Sequence, residues 1–293
     1  EVALGFKFLM VADQTYHWGL LDREVYIAIW VAVFTLQALY LMGKIKFAHD
    51  SDLPYIGVPR LVMIIITMSF VIYLIPGMFG APLKALAGYF PPQETIDFDI
   101  NRIVKEIMKS GVQIGGTQGA ASAASNEPVK YSDFLHLPHG LDGYFDYDQA
   151  LKAAQAQNKP LFIDFTGHGC VNCREMEQSV WSDPRVLEML KNDYIIVALY
   201  VDDKTKLPAE EVYVSEYDGK KKNTLGKKNT DFQIKQFESN AQPNYILLDS
   251  RKGNEKVLKP HVLQPARGYN KDRDAFVKFL QDGLKEYKAR AGK

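Results

Sequence analysis

The sequence is poor in cysteine, carries no excess charge of either sign, and has no second dithiol or spaced histidine pair. Its two cysteines, Cys170 and Cys173, exclude a scaffold stapled by several disulfides. Their C-x-x-C spacing favours a redox pair over a structural crosslink. With 35 basic and 35 acidic residues the formal charge is zero, so no whole-chain field points to nucleic acid. Structural zinc usually takes four protein ligands, and the sequence offers no matching set. The chain starts at Glu1 without an initiator Met or a charged region leading into a cleavage site. No signal peptide is recognisable there, and a fragment whose upstream part is missing is expected.

What is present is unevenly distributed. Residues 1–92 are mostly apolar, whereas 127–293 are rich in Lys, Asp and Glu. Residues 2–12 are apolar apart from Lys7. They supply about half of the ~20 residues a spanning helix needs and read as the tail of one. Residues 13–24 read as a polar loop with Tyr16, His17 and Trp18, aromatics suited to a membrane interface. The runs 25–43 and 61–83 are uncharged and long enough to cross a ~30 Å hydrocarbon core as helices. The alternative is a pair of buried core helices. Between the runs lie Lys44, Lys46 and Arg60, against Arg23 before them and Lys84 after. That bias puts residues 44–60 in the cytoplasm and everything after about residue 84 on the far side. Pro91-Pro92 closes this membrane part. Residues 93–129 read as a linker, with a short amphipathic helix at 97–109 and a small-residue tether, GGTQGAASAAS, within 111–128.

A soluble domain is expected over 130–293. Its pattern predicts a helix at 147–158, a strand at 161–165 and apolar residues at helical spacing over 174–190. A strand at 194–201, a polar insertion with seven lysines at 204–230, and a helix at 231–239 follow. A hairpin of 245–248 with 255–258 and an amphipathic helix at 272–289 complete it. The bland reading of the insertion is a solvated loop.

The stretch LFIDFTGHGCVNCREME, residues 161–177, places the cysteines between a buried strand and a helix. A helix N-terminus lowers the pKa of the first cysteine, so that a thiolate is available to attack a disulfide. The order of elements resembles the thioredoxin fold. The motif D-x-x-x-x-x-C-V-x-C-[KR]-E-x-E, present as Asp164, Cys170, Val171, Cys173, Arg174, Glu175 and Glu177, resembles the thiol:disulfide interchange protein DsbD family. The resemblance implies α-helical transmembrane segments followed by an α/β thioredoxin-like domain with a central mixed sheet. It implies Cys170 as nucleophile, Cys173 as resolving thiol, and Asp164 and Glu177 as acids that raise the cysteine pKa, Asp164 also taking the Cys173 proton. It places Gln242-Pro243 where the family fold has a cis-proline that offers backbone to substrate. No cofactor or metal is implied beyond the Cys170–Cys173 disulfide.

Two departures stand beside the motif. Gly169, preceded by His168, takes the place of the tryptophan common before the first cysteine; His168 is either a thiolate-stabilising imidazole or a solvated loop residue. The dipeptide Val171-Asn172 replaces Gly-Pro, which leaves the reduction potential open.

The resemblance implies a disulfide reductase in the bacterial inner membrane that supports cytochrome c maturation and disulfide isomerisation. Electrons would come from an upstream membrane domain and go to an N-terminal periplasmic domain of the same protein and to periplasmic thioredoxin-like proteins. Residues 1–92 hold no cysteine, so the relay pair of such a carrier is expected upstream. The isolated 127–293 domain is expected to reduce a protein disulfide. Two alternatives stay open: a copper-delivery domain using Cys170, Cys173 and a histidine, and a dithiol oxidase running the same chemistry in reverse.

Overall fold

A computed structural model of the chain describes residues 2–96 and 127–291. The helix expected at 97–109 and nearly all of the tether lie outside the described residues. The chain divides into two compact units, one within residues 1–114 and one within 115–293, with 14–18 clustering with the latter.

The first unit holds helices α1 (Val2–Tyr16), α2 (Arg23–Leu41) and α3 (Val58–Leu74). Helix α1 continues past Ala12 through Asp13, which the sequence reading placed in a loop. The Asp13 carboxylate is satisfied by accepting hydrogen bonds from the Leu20 and Leu21 amides at 2.9 and 3.1 Å. The run predicted to extend to residue 83 ends its α-helical part at Leu74 and tightens into a 3₁₀ turn, Ile75–Phe79. Pro76 has no N–H to give and its ring blocks the preceding turn. Tyr26, Ile27 and Leu74 pack with Met10, Leu83 and Phe90. Arg60 donates to the Leu41 and Tyr40 carbonyls at 2.6 and 3.2 Å, placing a cation at the C-terminal end of α2. Residues 23–41 and 58–79 are each long and apolar enough to cross a membrane, by length and composition. Their most apolar windows are only 17% and 28% buried, and Leu61, Val62, Ile65, Ile66 and Ile72 of α3 face outward.

The second unit is built on a three-stranded mixed sheet of order β2-β1-β5. Strand β1 (Leu161–Thr166) is central, parallel to β2 (Ile195–Tyr200) and antiparallel to β5 (Asn244–Leu248). All six residues of β1 are buried, as a strand covered on both faces must be. The pleat sends Leu161, Ile163 and Phe165 into one cluster with Ala150 and Ala154 of helix α4 (Tyr147–Gln157). Phe162 enters the other cluster with Trp181, Val186, Leu190, Phe276 and Leu280. Asp164 and Thr166 share the Phe162 face by the period-two alternation.

Helix α4 starts at Asp146, whose carboxylate accepts from the Gln149 amide, and ends at Asn158 in the left-handed conformation. After the cysteines the chain forms α5 (Val171–Met176), one π-helical turn (Glu177–Trp181), then α6 (Pro184–Asp193) capped by Asp183. The apolar periodicity over 174–190 therefore runs through three segments, α5, the π turn and α6. The π turn widens the spiral at Glu177, and a break in register leaves the letters looking periodic.

Two expectations are corrected here. Residues 204–230 are not an unstructured loop: they contain a ribbon of β3 (Tyr213–Val214) and β4 (Lys221–Lys222) and the start of α7 (Leu225–Phe237). Lys222 is 8% exposed and pairs with Asp218 at 2.8 Å. Lys228 bridges Asp146 and Glu211 at 3.2 and 2.8 Å. The hairpin with 255–258 is absent, because Asp249 caps a 3₁₀ turn at Ser250–Lys252 that carries the chain away from the sheet. Instead Val262 and Arg267 form antiparallel bridges to Leu248 and Tyr245. Helix α8 (Arg273–Ala291) closes the unit.

Candidate functional site

Strand β1 ends at Thr166, and the next three residues carry the chain to the first cysteine. Asp202, just beyond β2, clamps this loop: its carboxylate oxygens accept from the His168 and Gly169 amides, both at 2.9 Å. Gly167 is required for that approach, since a Cβ there would lie 2.9 Å from an Asp202 carboxylate oxygen. Cys170 then occupies the N-cap of α5, and its Sγ accepts from the Cys173 amide at 3.2 Å. The two cysteines form a disulfide. Cys173 is 1% exposed while Cys170 is half-buried, so an attacking group from solvent meets Cys170. Placed at the positive end of the helical segment, a Cys170 thiolate gains from the backbone amides aimed at it.

Beneath α5 lies a buried charged group that the motif only partly disclosed. Asp164 is 2% exposed and its Oδ1 makes no hydrogen bond. Burial pushes its carboxyl well above the usual aspartate range, and the neighbouring Glu177 charge adds to that, against an opposing pull from Arg174. Glu177 is 5% exposed. Arg174 Nη1 pairs with Glu177 Oε2 at 2.8 Å, with both side chains over nine-tenths buried. A second Arg174 nitrogen donates to Thr166 Oγ1 at 3.3 Å, tying α5 to the end of β1. On the π turn, the Glu177 carbonyl accepts from His139 Nε2 at 2.7 Å. Tyr245, the cross-strand partner of Asp164, is buried too. Burial raises its phenol well above the ordinary tyrosine value, with the Asp164 and Glu177 charges in support.

Arg174 and Glu177, on the helical segment that follows Cys170 and includes Cys173, thus lie within electrostatic reach of Asp164 on β1. Pro243 is buried just before β5, and the Gln242–Pro243 peptide bond is cis. Gln242 turns its amide to the Asn240 carbonyl at 2.7 Å.

His168 is not a solvated loop residue. Its side chain is 6% exposed, its Nε2 lies 2.9 Å from Asp203 Oδ2, and its ring packs on Tyr200 with centroids 4.5 Å apart. His17 Nε2 reaches the same oxygen at 2.9 Å. Burial works against ionisation of Asp203, yet the His168, His17 and Thr205 hydrogen bonds hold its carboxyl below the usual range. Among the described residues, His17, His168 and Asp203 are the group of donors close enough to share a metal ion. Neither cysteine belongs to it. Sequence reasoning passed over Arg174, Thr166, Asp202 and Asp203. The acids could have been suspected from two consecutive aspartates closing a buried strand, and Arg174 from its place inside the motif.

Residues 142–250 match a family described as thioredoxin-like. The thiol:disulfide interchange protein DsbD of Campylobacter jejuni (strain RM1221) is 26% identical over 128 residues, which are 41% of this chain and 22% of that protein. The protein of the same name from Salmonella typhi is 42% identical over 53 residues, 18% of this chain and 9% of its own. A solved structure described as DsbH oxidoreductase shares 18% identity, with a TM-score of 0.36, over 57% of this chain and 99% of that one. This chain contains a DsbD-like, thioredoxin-like region, and its match spans less than a quarter of the length of either DsbD relative.

Proposed function

We propose that this chain is a membrane-anchored thiol–disulfide oxidoreductase that delivers electrons from its Cys170/Cys173 dithiol to protein disulfides on the far side of the membrane. The observation that carries the reading is the disulfide at the start of α5, half-exposed at Cys170 and buried at Cys173, above a buried Asp164. In the reducing direction, the Cys170 thiolate attacks one sulfur of a substrate disulfide. That bond breaks, one substrate thiolate leaves, and a mixed disulfide forms. Cys173 then loses its proton and attacks Cys170 Sγ, releasing the second substrate thiolate and leaving the Cys170–Cys173 disulfide. Two electrons pass to the substrate, and its two thiolates take up two protons. Asp164 is the group positioned to accept the Cys173 proton, directly or through water.

Regeneration needs a dithiol donor, and an upstream membrane segment of the kind found in DsbD proteins is the proposed source. The outward apolar faces of α2 and α3 support a place in the bacterial inner membrane, with residues 44–60 cytoplasmic and the thioredoxin-like unit periplasmic. Proposed acceptors are periplasmic thioredoxin-like proteins and an N-terminal periplasmic domain of the same protein, in support of cytochrome c maturation and disulfide isomerisation. The disulfide-bonded pair is itself the redox group.

The test uses the purified chain in detergent, reduced, freed of reductant, and mixed with a disulfide-bonded peptide. Wild type should release two peptide thiols per chain. Cys170→Ala should release none, and Cys173→Ala should stop at a mixed disulfide visible on a non-reducing gel. Full peptide reduction by Cys170→Ala would sink the reading.

A further inference from the structure

Three ionisable side chains, the acids Asp164 and Glu177 and the base Arg174, are buried together where the cysteine-bearing segment packs on β1. Charges of −1, −1 and +1 would sum to −1, and burying an excess charge in a low-dielectric interior is strongly disfavoured. The arrangement resolves this by geometry. Arg174 Nη1 lies 2.8 Å from Glu177 Oε2, and its other end is held by Thr166, the residue two places along β1 from Asp164. Glu177 begins the π turn, and its carbonyl is held by His139. Asp164 Oδ1 has no hydrogen-bond partner.

We propose that Arg174 is a positioning residue for the exchange reaction: by holding Glu177 as the carboxylate of a buried ion pair, it leaves Asp164 as the acid that carries the exchangeable proton. An ion pair of zero net charge and a protonated Asp164 give a group that stays neutral while the disulfide is intact. When the disulfide is reduced, the Asp164 proton passes to the Cys173 thiolate and leaves Asp164 ionised near Arg174; when Cys173 attacks Cys170 Sγ, that proton returns to Asp164. This inference rests on the proposed dithiol chemistry and adds to it a residue that touches neither cysteine's substrate nor the transferred electrons.

The groups facing Asp164 set the expected signs. From the helical segment they are Arg174 and Glu177; from β5 it is Tyr245, and His139 reaches Glu177 through its carbonyl. Removing the Arg174 cation makes every nearby proton harder to lose. Removing the Glu177 anion makes each easier to lose. Removing both nearly cancels.

The experiment measures the rate at which the reduced full chain in detergent opens a disulfide-bonded peptide, from pH 5 to 10. Arg174→Met should move the rising limb up by about one pH unit, the scale of a lost opposite charge. Glu177→Gln should move it down, Arg174→Met/Glu177→Gln should return it close to wild type, and Arg174→Lys should restore most of the wild-type position. A ¹³C titration of the Asp164 carboxyl should show the same order of shifts without relying on turnover. Should Arg174→Met fail to fold, Glu177→Gln and Arg174→Lys still decide the matter. An unmoved Asp164 titration, or equal shifts in Arg174→Met and Glu177→Gln, overturns the proposal. Absence of any exchange by wild type would instead defeat the dithiol reading itself.

Discussion

Arg174 and Glu177, three residues apart across the start of the π turn, form an ion pair 2.8 Å long from which water is almost wholly excluded. Such a pair has an asymmetric energetic signature. Deleting one partner leaves a buried charge without compensation and costs about 3–5 kcal/mol, whereas replacing both with apolar groups of similar volume is often neutral. Arg174→Met should therefore destabilise the thioredoxin-like unit by roughly 3 kcal/mol in urea titrations followed by near-UV circular dichroism. Arg174→Met/Glu177→Leu should recover most of that loss. Additive losses in the double variant would show that the two side chains contribute by packing and not as a pair.

The apolar segments of the first unit make a prediction about topology. With Lys44, Lys46 and Arg60 between two spans, the positive-inside bias puts residues 44–60 in the cytoplasm. In a variant with Cys170 and Cys173 replaced by serine, a single cysteine at Asp50, which is exposed, should resist a membrane-impermeant maleimide in intact cells. A single cysteine at Asp142, also exposed, should react once the outer barrier is made permeable. The opposite labelling pattern would invert the orientation, and labelling of both would remove the spans.

Much of the site is legible in the letters, and the illegible parts share a physical cause. β1 is readable because a run of apolar and aromatic residues broken by one acid has few other homes than a covered strand. The cysteine spacing and the position of Pro243 ahead of β5 are likewise local features. What the letters conceal is where a polar chain goes in three dimensions. Arg174 and Lys222 look like surface cations, yet the fold buries each of them together with a carboxylate three or four residues away. The two-residue strands β3 and β4 are too short to show alternation. The π turn at Glu177 adds a register step that no periodic template contains. The hairpin expected at 255–258 fails because Asp249 caps a competing turn, a choice made by one side chain and not by strand propensity.

Asp164 supplies the last prediction, because its burial has opposite consequences for activity and stability. Its folded-state pKa is raised above the ordinary value of 3.8, chiefly by loss of water and secondarily by Glu177. In the pH range between those two values the folded protein holds a proton that the unfolded chain has released. Stability therefore falls as pH rises through that range, since unfolding then lets the carboxyl ionise in water. Asp164→Asn abolishes this dependence while keeping the shape. The variant should match wild type in melting temperature near pH 4 and exceed it at pH 7 to 8, by about 2–4 °C for each kcal/mol regained. Its dithiol should at the same time react more slowly with a peptide disulfide at neutral pH, because Cys173 loses the group that takes its proton. Thermal scans at pH 4 and pH 8 and single-turnover peptide reduction check the two halves separately. A variant that is less stable than wild type at pH 8 would mean that Asp164 is held ionised in the folded protein.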